Sequence, residues 1–378
     1  MSRRVSLVAA LVLVVSTWVP AFAQENPYQT ASPEYGASVF LWGFAPTTQR
    51  DLGKLNNAGL TWQKTLFQWR YIEPQRGRYD WPEAERIVQA SNARGIDVIA
   101  RLDLQPAWSR ADGSLANGPP DDMQDWGNFV YAFVDHFKAG SPNGTVRAVQ
   151  LWNEPNLSRE WGNAPLGDGS ASEYVTMLCA GYDAAKSAAS EVVVVSAGLS
   201  PTGVIDQGAR DDALYLNEMY AAGAAPCFDA LGAQGNTQAP SPELDIGSWM
   251  GCDGGESICE HGSFYFRRIE ELHQVMVDNE DPRQIWLLEF GWTSDPIHPE
   301  YSWYAVSEDQ KAQNVVEAYR YAYDNWQPWI GPMILWAVAS PDWNDSQEQY
   351  WWAVTYPNGD NRPGYDALAD ARATGFLP

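Results

Sequence analysis

Gln150-Leu151-Trp152-Asn153-Glu154-Pro155-Asn156 and Ile285-Trp286-Leu287-Leu288-Glu289-Phe290-Gly291-Trp292 are two apolar runs, each reaching a glutamate where a turn begins. A carboxylate flanked by Trp, Leu and Phe is costly to bury unless it is paired or used, so each placement asks for more than a folding explanation. The two runs belong to a series. Short β-branched or apolar stretches lie at 37–42, 60–69, 97–103, 146–152, 192–197, 228–233, 285–290 and 332–338. Amphipathic stretches at 82–93, 122–137, 172–189, 264–277 and 308–325 fall between them, with Gly or Pro near their ends, as in Ala93-Arg94-Gly95.

Eight apolar strands alternating with helices indicate a parallel sheet covered on both faces, and eight is the number that closes a barrel. The expectation is an α/β protein, a single-domain (β/α)8 TIM barrel. An open doubly wound sheet would normally carry Gly-x-Gly-x-x-Gly after an early strand, and none occurs there. In a barrel the loops that follow the strands build the site, so Glu154 after strand four and Glu289 on strand seven meet at one mouth. Pro155 is expected to bias Glu154 away from helical dihedrals and end the strand there.

These motifs resemble those of clan A retaining glycoside hydrolases, nearest in pattern to family 5 cellulase-like and family 39 xylosidase-like members. A third stretch agrees: Phe67-Gln68-Trp69-Arg70-Tyr71-Ile72-Glu73-Pro74, followed by Arg76-Gly77-Arg78-Tyr79-Asp80-Trp81, is similar to the segment after strand two in that clan. The resemblance implies that Glu154 is the general acid/base and Glu289 the nucleophile. Such chemistry needs one carboxyl protonated to serve the departing oxygen and one ionised to attack the anomeric carbon. By the same resemblance Asn153 hydrogen-bonds the sugar 2-hydroxyl and Trp336 supports the sugar at the cleavage site. Lys64 falls where many relatives carry Arg and would steady the nucleophile, without the two-pronged fork of Arg. One departure stands out: where relatives present His-x-Tyr at the end of strand six, this chain has Gln234 and Asn236. Both can hydrogen-bond a hydroxyl or a carboxylate, and neither titrates near neutral pH. Tyr265, Tyr301 and Tyr304 are candidates to replace the missing Tyr.

The first residues narrow the setting. Arg3 and Arg4, an apolar run from Leu7 to Val15 and Ala21-Phe22-Ala23 read as a secretory signal peptide, residues 1–23, leaving 24–378 as the catalytic domain. The run is shorter than the roughly 20 apolar residues of a membrane span. Against 24 basic residues stand 48 acidic ones, dispersed along the chain, for a formal charge of −24. Nucleic acid and anionic membranes are unsuitable partners for that field, whereas a neutral carbohydrate is not.

Four cysteines in an exported chain point to disulfides, with Cys252 and Cys259 closing a short Gly-rich loop and Cys179 left to pair with Cys227. A metal site is the rival, since His261 follows Cys259, but Cys-x6-Cys-x-His is not a usual zinc spacing. Nineteen Trp suit the apolar faces of sugars, and Trp108, Trp161, Trp249, Trp292, Trp303, Trp343, Trp351 and Trp352 fall in predicted strand-end segments. Arg101, with Asp103, Asp112, Asp121 and Asp342, adds polar candidates for sugar contacts. The reading is a secreted, monomeric glycosidase of oligo- or polysaccharides that needs no cofactor. Two alternatives remain beside it: a non-catalytic carbohydrate-binding protein on the same barrel, which the absent His-x-Tyr would favour, and a metal-dependent hydrolase.

Overall fold

Strands form around the apolar runs: β1 Glu34–Ser38, β2 Trp62–Gln68, β3 Asp97–Asp103, β4 Ala148–Leu151, β5 Val193–Val195, β6 Leu231–Asn236, β7 Ile285–Gly291 and β8 Ile330–Leu335. They come from a computed structural model, which describes residues 28–237, 241–243 and 263–378. The expected leader, Trp249 and the expected Cys252–Cys259 pair lie outside the described residues. Neighbouring strands run parallel in the order β5-β4-β3-β2-β1-β8-β7-β6, and the parallel bridges Val195–Ala230 and Leu199–Ala233 join the two ends into a barrel.

Among the described residues eight longer helices follow the strands in turn: α1 Ala45–Asn57, α2 Pro82–Asn92, α3 Met123–His136, α4 Ser170–Ala188, α5 Asp212–Ala221, α6 Arg268–Asp278, α7 Glu308–Asn325 and α8 Pro363–Ala373. Side-chain caps start several of them. Asp122 accepts from the Gln124 N–H, Asp211 from Leu214 and Ser307 from Gln310, each satisfying a backbone donor that the first turn leaves open. Cys179 on α4 and Cys227 just before β6 form a disulfide, as the cysteine count suggested. No described helix is long and apolar enough to cross a membrane.

Two strand boundaries differ from the hydrophobic pattern in ways that matter for the mouth. The apolar run 37–42 overshoots β1, so Phe40 and Trp42 leave the strand and stand in the loop beyond it. Conversely β6 continues past residue 233, because Gln234, Gly235 and Asn236 pair with Glu289, Phe290 and Gly291 of β7. Polar side chains are therefore carried on strand backbone.

The barrel interior is closed below the mouth by two indoles, Trp62 and Trp286, which meet edge to face at 5.2 Å among Ile99, Val195, Leu288 and Ile334. Gly36 pairs with Trp62 in register. A Cβ at Gly36 would lie 2.6 Å from Ile334 Cδ1 and 2.7 Å from Trp62 Cβ, so glycine there is the consequence of the indole opposite. Overpacking of a filled interior costs about 1–3 kcal/mol, and Gly36→Ala is expected to lose that much in urea unfolding. An unchanged midpoint would show that the floor is loosely packed.

Candidate active site

The position of Glu289 depends on an irregularity in β7. Ala233 of β6 pairs with Leu287 and Gln234 pairs with Glu289, so Leu288 is an extra residue with no partner in the register. An inserted residue reverses the alternation of side chains beyond it. Trp286 and Leu288 point into the barrel, and Glu289 points inward directly after Leu288. Phe290 and Trp292 consequently face outward: Phe290 meets Tyr319 of α7 at 5.0 Å, and Trp292 packs on Phe266, 5.9 Å away.

Lys64 secures this turn of the chain. Its Nζ donates to the Leu288 carbonyl at 2.9 Å and to Glu289 Oε1 at 2.7 Å. Both side chains are buried. Burial pulls the Lys64 pKa below the ordinary range; the Glu289 charge opposes that pull and the Arg101 charge adds to it. Arg101 is a second cation, its Nη1 3.9 Å from the same Glu289 oxygen, while its Nε donates to Asp103 Oδ2 at 2.7 Å. Asp103 is fully buried and serves Arg101 rather than the cleft. Glu289 thus meets two positive groups on side chains of β2 and β3.

Glu154 sits in a different field. It follows β4 with φ +43, two residues after Trp152 at φ +77, so the chain leaves the strand through left-handed conformations and not by the extended path expected from Pro155. Burial raises its pKa above the ordinary carboxyl range, the charge of Glu289 raises it further, Arg159 lowers it and Glu160 raises it. Arg159 Nη2 donates to Glu154 Oε2 at 3.1 Å. Arg159 is not among the residues expected at the site from the sequence, although its place five residues beyond Glu154 in the same loop is a usable signal.

Asn153 is oriented from below. Its Oδ1 accepts from Gln234 Nε2 at 3.0 Å and from Gln150 Nε2 at 3.2 Å, which leaves its amide N–H groups directed at the cleft. Gln234 is therefore a support for Asn153, buried at 1% exposure, rather than a cleft residue. Asn236 does line the cleft, with its Oδ1 buried and unpartnered among the described residues.

Glu154, Glu289, Asn153, Arg101, Asn236 and Trp336 share one cleft of about 590 Å3. Tyr301, Tyr304, Glu348 and Trp352 form its rim. The loop carrying Trp352 is tied down from behind, since Lys311 of α7 donates to the carbonyls of Trp351 and Ala353 at 2.9 and 3.2 Å. Other candidates fall elsewhere. Trp292, expected at the substrate, is 1% exposed behind the barrel wall because of the Leu288 insertion. Tyr265 donates to Glu271 on α6, and Trp161 packs on Trp152 and Tyr174. Trp108 donates to the Glu73 carbonyl, and Asp112 pairs with Arg110. No three His, Cys, Asp or Glu side chains gather as a metal site among the described residues.

No protein-family model matches the chain, and no curated protein matches it. Solved structures share its fold. A family 39 glycoside hydrolase from the gut symbiont Bacteroides cellulosilyticus WH2 is similar at a TM-score of 0.60 and 17% identity, over 91% of this chain and 64% of that one. A GH5_18 protein from Streptomyces cattleya, solved with GlcNAc, gives 0.63 and 13%, over 91% of this chain and 80% of the other. An exo-β-1,4-mannosidase from Opitutaceae bacterium strain TAV5 gives 0.59 and 15%, over 93% and 62%. This chain thus spans less than two thirds of the first and third of these, and the likeness at such identities is one of fold.

Two measurements test the electrostatics without any substrate. A double-mutant cycle of Lys64→Met and Glu289→Gln should give a favourable coupling of about 1–3 kcal/mol in unfolding, with Lys64→Met alone the more damaging change because it strands a buried carboxylate. Additive effects would remove the clamp. For Glu154 the sign follows from its raised pKa: the folded chain prefers the neutral acid, so stability falls as pH rises from the unfolded pKa to the folded one. Glu154→Gln should therefore melt above the unsubstituted chain at pH 7, with the gap closing below about pH 4, the ordinary carboxyl range. A gap that widens on acidification would contradict the assignment.

Proposed function

We propose that this protein is a retaining β-glycosidase that hydrolyses O-glycosidic bonds of an oligo- or polysaccharide outside the cell. The observation that carries the reading is the pair of carboxyl groups in one cleft with opposed settings: Glu289 against Lys64 and Arg101, Glu154 buried and driven toward its neutral form. Carboxyls with separated protonation states are what double displacement requires.

In the first step Glu289 attacks the anomeric carbon while Glu154 gives its proton to the departing oxygen. The glycosyl–Glu289 ester forms and the glycosidic bond breaks. Once the ester has formed, Glu289 no longer bears the charge that raises the Glu154 pKa, and Glu154 is left ionised. Glu154 then takes a proton from water, whose oxygen attacks the anomeric carbon and releases Glu289. Lys64 holds Glu289 aimed between turnovers, the orienting task given to a Tyr in the relatives the motifs resemble. Asn153 offers its amide N–H to the 2-hydroxyl, and Trp336 offers a flat face to the ring. The leader-like first residues and the disulfide support export.

Aryl β-glycosides of differing leaving-group acidity test the two roles separately. Glu289→Ala should abolish turnover on every substrate with the fold intact. Glu154→Ala should lose about 10²–10⁴-fold on poor leaving groups and far less on good ones, because only the former need the proton. Proton NMR of the first-formed product should show the substrate's own anomer. Early appearance of the inverted anomer would reject Glu289 as nucleophile, and tight glycan binding with no turnover would make the chain a carbohydrate-binding protein.

A further inference from the structure

A second recess opens at the same mouth, on the side the cleft does not occupy. It measures about 220 Å3 and lies between Phe40 and Trp42 after β1, Leu66 and Gln68 of β2, and Asp342 and Trp343 after β8. Trp336 of the cleft wall packs against two of its lining rings. Its ring meets Phe40 edge-on at 5.5 Å and Trp343 at 6.3 Å. On the far side Trp42 stacks on Tyr71, 6.2 Å apart and 18° from parallel, and Tyr71 is 53% exposed.

Several indoles that pack loops in this protein donate their N–H groups to the chain itself. Trp108 donates to the Glu73 carbonyl, Trp152 to Glu160 and Trp351 to Asp345. Trp42 and Trp343 differ: neither indole N–H has a partner among the described residues, nor does the Gln68 side-chain amide. Asp342 accepts from Ser340 with one carboxylate oxygen and keeps the other for the solvent side. Flat rings, open N–H donors and an acceptor at one recess match the faces and hydroxyls of a pyranose.

We infer that this recess is a second sugar-binding subsite, so that the substrate chain crosses the mouth from the cleft over Trp336 and places a further unit between Trp42 and Trp343. The inference rests on the glycosidase reading and specifies its substrate as a chain longer than the pair of units at the scissile bond.

The probes are β-1,4-linked gluco- and manno-oligosaccharides of two to six units, titrated calorimetrically into the full chain carrying Glu289→Gln. Affinity for one of the two series should rise with length. Adding Trp42→Ala should weaken hexasaccharide binding by about tenfold or more, the usual consequence of truncating a Trp anchor, and flatten the length dependence. Gln68→Ala should do so by a smaller factor at an unchanged melting temperature, which separates a lost contact from a lost fold. Length-independent binding, full length dependence in Trp42→Ala, or no binding of either series would overturn the subsite. The glycosidase reading fails on a different result, absence of hydrolysis of every aryl glycoside by the unsubstituted chain.

Discussion

One ammonium group holds the site together. Lys64 Nζ reaches both the carbonyl of Leu288 and the carboxylate of Glu289, so a single buried donor fixes the bulge and the side chain that the bulge redirects. Without the inserted residue, Glu289 would face the helices and Phe290 would face the barrel. Without Lys64, a carboxylate turned into the interior would lack its nearest positive charge, and removing one partner of a buried pair costs about 3–5 kcal/mol. The lysine is costly as well, since burial works against its charge. Neither group is stable in its place alone, which ties the orientation of Glu289 to the identity of residue 64.

The same geometry separates two acids of one residue type. Glu289 faces Lys64 and Arg101, cations from adjacent strands, and is surrounded by strand backbone. Glu154 lies past the end of β4 on a backbone of positive φ, where burial and the charge of Glu289 act together and Arg159 opposes them. Each acid is part of the other's environment. The barrel supplies this by closing strands four and seven around one interior, with Trp62 and Trp286 as its floor.

Much of the fold was legible because apolar strands in alternation with helices are a local signal. The motif around Glu154 and Glu289 was legible for the same reason: a carboxylate in a greasy strand end is visible one residue at a time. The Leu288 insertion was not. It is a matter of register between β6 and β7, set by pairs far apart in sequence, and an unbroken run of apolar residues gives no phase from which to read it. Trp292 was misplaced on that account. Gln234 was visible as a departure from the resembling motifs, but its task of holding Asn153 depends on a contact across 81 positions. Lys64 was visible as a substitution for Arg, and its second bond, to the Leu288 carbonyl, exists only because the bulge exists.

Glu289, clamped by Lys64, is proposed as the nucleophile that bonds to the anomeric carbon of the sugar. The direct measurement is covalent trapping with an activated 2-deoxy-2-fluoro β-glycoside, followed by peptide mass spectrometry of the intact chain's digest. A fluoroglycosyl mass on the peptide bearing Glu289, with fragmentation placing it on that residue, is the predicted result. Labelling of Glu154, or turnover of the reagent with no covalent adduct at any time point, would contradict the nucleophile role of Glu289.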